Sequence, residues 1–157
     1  MLRALFLEYP EDNTSWFIED EYLFGSDFLI APLFDENTTK REVYIPAGTW
    51  LDYQTEKIYE GGKWYSVEAG IIPCVILVRD GVVIPHAQIA QSTDFIDWNN
   101  LELVEFNTKN TNSTGFLFIP GADELTEIII NTPNGRPIID MLPKGVNYVI
   151  KTIKGTV

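Results

Sequence analysis

A single cysteine and a single histidine stand among 157 residues, and basic residues are few: 11 against 23 acidic ones. Cys74 alone cannot close an intramolecular disulfide. One histidine and one cysteine cannot build a zinc cage, and Asn107–Gly115 has the asparagines of a calcium loop without its acids. A Ser-His-Asp or Cys-His device would have to use His86, whose neighbours Pro85, Ala87 and Gln88 form no nucleophile signature. His86 is expected on a solvated loop. The formal charge of −12 repels phosphate backbones and anionic lipids, so neither nucleic acid nor membrane is expected as a partner. No apolar run approaches the roughly 20 residues of a spanning helix. Met1–Glu8 does not make a signal peptide, because acid follows a short apolar stretch at once; this leaves localisation open, with a lean towards the cytoplasm. Glycine-rich phosphate-binding motifs are absent, and no cofactor is expected.

What remains is apolar and aromatic. The hydrophobic fraction is 45%, with four Trp, seven Tyr and nine Phe, enough for a real core. Cys74 sits in the run Ile71–Val78 and is expected to pack as a small hydrophobe.

From Arg41 onward, short segments rich in Val, Ile, Tyr, Trp and Thr alternate with Gly, Pro, Asn and Asp. Strands are expected near Glu42–Ile45, Trp50–Tyr53, Lys57–Tyr59, Lys63–Val67, Val75–Val78 and Val82–Ile84. A second set is expected near Leu101–Asn107, Gly115–Ile119, Leu125–Asn131, Pro137–Met141 and Tyr148–Ile153. Gly61-Gly62 and Asp80-Gly81 read as tight turns, as do Pro133-Asn134-Gly135 and Pro143-Lys144-Gly145. Before them, Asn13–Ser15 opens a short helical turn that Asp20–Phe24 continues and Gly25 ends. Phe28–Ala31 reads as a buried strand.

The spacing predicts a mostly β chain: an antiparallel β-sandwich followed by a second, smaller β-sandwich-like unit. The polar stretch Pro85–Asn100 marks the boundary. The expected organisation is 1–33 as a mixed lead-in, 34–86 as the first sandwich and 87–157 as the second.

Acidic residues cluster at Glu8, Glu11 and Asp12, at Glu19, Asp20 and Glu21, and at Asp94 and Asp97. Hydrolysing a glycosidic bond needs two carboxyl groups facing each other across it. Clustering is weak evidence for that, since turns favour Asp on their own account, so no catalytic residue is assigned. Trp50, Tyr53, Tyr59, Trp64 and Tyr65 either fill a sandwich core or form an aromatic platform for sugar rings, and core is the favoured use. Trp98, in the polar boundary, is the best candidate for exposure. Trp98 and Trp64 are the candidate sugar contacts.

Five motifs resemble glycoside hydrolase family 31 in order: Arg3–Pro10, Asp20–Gly25, Phe28–Leu33, Val43–Pro46 with Gly48–Tyr53, and Ile72-Pro73 with Val78–Pro85; Ala4 and Cys74–Leu77 depart from the family pattern. Residues 86–157 are similar only weakly, mainly at Asp94–Trp98, to the distal sandwich of the α-xylosidase-like branch. The resemblance implies a parent α-glucosidase or α-xylosidase in which a (β/α)₈ barrel precedes proximal and distal C-terminal sandwiches. It implies that the two catalytic aspartates lie in barrel segments upstream of the Leu5–Glu8 motif, so neither maps onto this chain. Residues 1–33 would then include the end of the barrel, and Met1 within a motif suggests a truncated product or a fragment. The implied partner is the barrel, with carbohydrate as a further candidate. Leu5, Phe6, Leu7, Phe17 and Tyr22 would face the barrel and, left bare, favour self-association.

Overall fold

A computed structural model describes residues 1–109, 111–118, 120–121, 123–131, 138–139 and 146–156. The expected turns at 133–135 and 143–145, and all of the expected strand Pro137–Met141 except 138–139, lie outside the described residues. The chain divides into two compact units, 1–80 with 155–157, and 81–154.

The first unit holds eight strands: β1 (Leu2–Arg3), β2 (Tyr22–Phe24), β3 (Phe28–Pro32), β4 (Lys40–Ile45), β5 (Thr49–Asp52), β6 (Ile58–Glu60), β7 (Lys63–Glu68) and β8 (Cys74–Arg79). Six of them form one sheet in the order β1-β2-β3-β8-β5-β6, and β4 pairs with β7 in a second layer. All pairings are antiparallel. Alternation decides which side chains go inside. In β3, Leu29 and Ala31 are fully buried while Phe28 and Ile30 are partly open, as period-two geometry requires. Leu23, Leu29, Trp50, Val75 and Leu77 from the large sheet share one core with Val43, Ile45 and Val67 from the β4–β7 layer. Burial of these groups is the main stabilising term.

Residues 1–33 carry more of this sheet than their sequence announces. Tyr22–Phe24 is a strand, where a continuing helical turn was expected. It pairs with β3 through Tyr22↔Ile30, Leu23↔Leu29 and Phe24↔Phe28. Gly25, at φ +66°, ends no helix; it supplies the left-handed residue of the β2–β3 hairpin. The short apolar triplet is too brief to show its period, and Asp20-Glu21 ahead of it imitates a helical first turn. A four-residue helix, α1 (Leu5–Glu8), and a 3₁₀ turn at Asn13–Phe17 complete the lead-in. Asp12 caps that turn, accepting from the Thr14 N–H at 3.0 Å.

The second unit contains β9 (Val82–Ala87), β10 (Asn100–Phe106), β11 (Ser113–Leu117), β12 (Thr126–Asn131), β13 (Ile138–Ile139) and β14 (Asn147–Ile153). They form one sheet in the order β13-β12-β11-β9-β10-β14. Two pairings, β10 with β14 and β11 with β9, are parallel. β9 runs through Pro85 to Ala87, past the end expected at Ile84. Pro85 lies opposite Leu103 of β10, while β11 meets β9 at Val82, so the missing N–H falls clear of that contact. His86 consequently sits on a strand, not on a loop. Val83, Leu101, Leu103, Leu117, Ile128 and Ile130 form the core.

Within that core lies a buried carboxylate. Glu105 is fully buried and accepts from Asn107 Nδ2 at 2.9 Å, Ser113 Oγ at 2.9 Å and Thr152 Oγ1 at 2.8 Å. These donors tie β10 to β11 and β14 and offset the desolvation of the acid.

Gly115 permits the close approach of β11 to β9, since a Cβ there would stand 2.1 Å from the Val83 carbonyl oxygen. Gly115→Ala is expected to destabilise the second unit by at least the ~1–3 kcal/mol typical of overpacking. Hydrogen exchange of the β9–β11 amides measures this, and unchanged protection would refute it.

Candidate functional site

Most of the acidic residues flagged by their clustering have structural work in the fold. Glu8 pairs with Arg3 at 2.8 Å and with Arg79 at 3.5 Å. Asp12 accepts from the Tyr44 hydroxyl at 2.6 Å as well as capping its turn. Asp20 pairs with Arg41. Asp97 accepts from the Asn99 N–H at 3.0 Å and from Asn100 Nδ2 at 2.6 Å, folding the loop before β10. Among the described residues, no three His, Cys, Asp or Glu side chains come together as a metal ligand set. Cys74 is partly buried, and burial pushes its thiol up, away from the reactive thiolate.

The aromatic residues divide. Trp50 is fully buried and donates from Nε1 to the Pro46 carbonyl at 2.9 Å. Tyr59 and Tyr65 pack edge to face at 5.1 Å against the same core. Trp64 is 51% exposed on β7, tilted on Tyr44 at 5.5 Å. Trp98 is only partly open and meets Phe118 edge to face at 5.5 Å. The two candidate sugar contacts belong to different units. His86 lies 3.7 Å from Glu102 across the β9–β10 ladder.

The most open apolar ground of the first unit is on its N-terminal segment. Leu2, Phe6, Trp16 and Phe34 line a cavity of about 690 Å³ together with Asp20 and Glu21. Phe6 and Trp16 stack at 4.9 Å. Leu7, Phe17 and Phe34 are 61%, 82% and 71% exposed. Leu5 departs from the expected barrel-facing set: it is fully buried in the unit's own core. Its helix rolls Leu5 inward and Leu7 outward.

Glu21 is the residue whose role its sequence neighbours conceal. Its side chain is buried, and one carboxylate oxygen accepts from the Tyr44 N–H at 2.8 Å. The nearest Arg41 nitrogen stands 3.9 Å away, already bound to Asp20. The other oxygen is buried without a hydrogen-bond partner. Burial therefore pushes this acid up to about 7; the Tyr44 N–H and Arg41 oppose the rise and Asp20 adds to it.

The chain thus consists of a two-layer β unit with an aromatic surface on its lead-in, and a second unit built on one sheet. The family model for the glycosyl hydrolase family 31 C-terminal domain matches residues 1–84, and the chain belongs to that family. Alpha-glucosidase 2 of Bacillus thermoamyloliquefaciens is 36% identical over 97 residues, covering 62% of this chain and 12% of the relative. An α-xylosidase of Lactiplantibacillus pentosus is 24% identical over 143 residues, covering 89% of this chain and 19% of the relative. The crystal structure of a family 31 α-xylosidase from Xanthomonas citri superposes with a TM-score of 0.77 at 27% identity, over 98% of this chain and 18% of that one. The chain thus spans under one-fifth of each of these relatives.

The raised acid makes stability fall with pH. An ordinary glutamate titrates near 4.5, whereas folded Glu21 titrates near 7. Between those values the folded state keeps a proton that the unfolded chain has lost, so stability drops as pH rises through the window. At about 1.4 kcal/mol per pH unit, the loss is on the order of 3 kcal/mol. Glu21→Gln, which keeps the shape of the protonated acid, is expected to flatten this slope and to be the more stable protein at pH 8. Urea unfolding of both proteins at pH 5 and pH 8 tests it, and parallel pH dependence would disprove it.

Proposed function

We propose that this chain is the non-catalytic C-terminal β-sandwich region of a retaining α-glycosidase, bracing a catalytic barrel rather than cleaving sugars. In this reading the first unit, with the lead-in of residues 1–33 woven into its sheet, is the proximal sandwich and the second unit the distal one. The observation that carries it is the aromatic face of the lead-in. Phe17 and Phe34 stand mostly open beside the cavity that Leu2, Phe6 and Trp16 line, on the segment that would adjoin the barrel. Large apolar groups gathered on one surface mark an interaction site, and rigid stacked rings suit one. The structural engagement of Glu8, Asp12, Asp20 and Asp97 supports the non-catalytic part, since a glycosidase acid and its partner must face the substrate. The same bare face would drive self-association when the barrel is absent.

The purified chain is expected to release no nitrophenol from aryl α-glucosides or α-xylosides above the rate in buffer. Turnover that disappears on replacing one acidic residue would overturn the reading. A double variant, Phe17→Ser with Phe34→Ser, is expected to keep the circular dichroism and melting temperature of the parent chain. In sedimentation velocity it should shift self-associated chain towards monomer. A parent chain that stays monomeric at every concentration would remove the self-association part.

A further inference from the structure

Away from that face, the loop before β10 frames a small cavity of about 340 Å³, lined by Thr93, Asp94, Trp98, Phe118 and Pro120. We propose that it is a saccharide subsite: a pyranose ring packs on the Trp98 indole while its hydroxyls donate to the Asp94 carboxylate. This goes beyond the bracing role, which rests on the first unit; every residue of the subsite is in the second.

Three observations carry it. First, the rings are positioned without a ligand. A 3₁₀ turn at Thr93–Phe95 is closed by the Phe95 N–H donating to the Ser92 carbonyl at 3.1 Å. The Trp98 N–H donates to the Ile96 carbonyl at 3.1 Å, and Asp97 binds both Asn99 and Asn100. Phe118 then holds the indole edge to face, with the two ring planes 77° apart. Such a site loses little entropy on binding. Second, the aromatic surface is larger than a core requires. Alternation along β11 leaves Phe116 54% exposed, and Phe118, just beyond the strand, 49% exposed. Third, the polar lining accepts or shares hydrogen bonds and carries no positive charge among the described residues. Asp94 supplies carboxylate acceptors and Thr93 a hydroxyl, with no Lys, Arg or His among the described lining residues. An anionic ligand would meet repulsion there. A neutral molecule with an apolar ring face and a rim of hydroxyl donors meets a partner on both sides. The cavity is at the lower end of the ~300–1,000 Å³ usual for ligand pockets, which suits one end of a glycan rather than a long chain.

The amine cage is the competing occupant, since aromatic rings and a carboxylate also attract organic cations. The test uses the full chain labelled with ¹⁵N. Maltopentaose, isomaltopentaose and a xylose-bearing glucan oligosaccharide are titrated one at a time, with choline as a fourth probe, and the Trp98 indole N–H and the backbone amide resonances of Thr93, Asp94 and Phe118 are followed, the amides serving also for the Trp98 variant. A saturable shift with at least one saccharide is expected. Trp98→Ala should weaken that binding roughly tenfold or more, and Asp94→Asn about tenfold, the loss of one charge-assisted hydrogen bond. Ile71→Ala, at an exposed position of the first unit, should leave it unchanged. Asp94 is exposed, so Asp94→Asn keeps the test valid if Trp98→Ala fails to fold. Silence across the three saccharides, a shift with choline alone, or saccharide binding that survives both second-unit variants would each overturn the proposal. None of those outcomes alters the aryl-glycoside result that decides the bracing role.

Discussion

One guanidinium holds the lead-in to the first sheet. Arg79 ends β8, and its charge lies 5.1 Å from the Trp50 ring and 5.4 Å from the Tyr9 ring. Its Nη2 reaches Glu8 at 3.5 Å, and its Nε is buried without a hydrogen-bond partner. Arginine suits this place because its flat, weakly hydrated cation can stack on two rings and still pair with a carboxylate; lysine could not. The contact joins the end of α1 to β5 and β8, elements more than forty residues away in sequence. With that end fixed, Leu5 turns into the core and the neighbouring aromatic residues turn out. The surface assigned to the barrel is thus a by-product of how the lead-in is anchored.

Because the lead-in is woven into the sheet, the same residues serve two ends. Leu23 and Leu29 are fully buried and stabilise the unit. Phe24, next to Leu23 on the same strand, is 51% open. Strand alternation makes this division of labour without any specialised motif.

Much of this was legible in the chain. The strands from Val75 to Val78 and from Lys63 to Val67 announce themselves through β-branched and aromatic residues between glycine-bearing turns, and they stand within a residue or two of their expected ends. Tyr22–Phe24 did not, because three residues cannot display a period and the preceding acids favour a helical reading. Pro85 concealed the end of β9 for a different reason. Proline forbids a ladder donor only where a neighbour needs one, and the neighbour is known only from the topology. The partition of the tryptophans was half visible. Sequence spacing puts Trp50 and Trp64 in one aromatic group, but burial depends on which layer each strand joins. Glu21 was invisible altogether, since its neighbours Glu19 and Asp20 are exposed acids of the ordinary kind.

The two buried carboxylates show what sets a structural acid apart from a sensitive one. Glu105 and Glu21 are both removed from water, and the desolvation cost of a charge is comparable in principle. Glu105 meets it with three side-chain donors, one each from the loop after β10, from β11 and from β14. Glu21 has one backbone donor and a share in an arginine already committed to Asp20. A native protein seldom leaves a buried oxygen without a partner, and the cheapest remedy is to keep the proton. The first unit therefore carries, beneath the face read here as its docking surface, an acid that is neutral in mildly acidic conditions and charged in alkaline ones. Its state changes the electrostatics of Asp20, which lines the aromatic cavity, and of the Arg41 paired with it. Any partner that closes that cavity excludes more water from Glu21 and favours its neutral form further, so docking and proton binding reinforce each other.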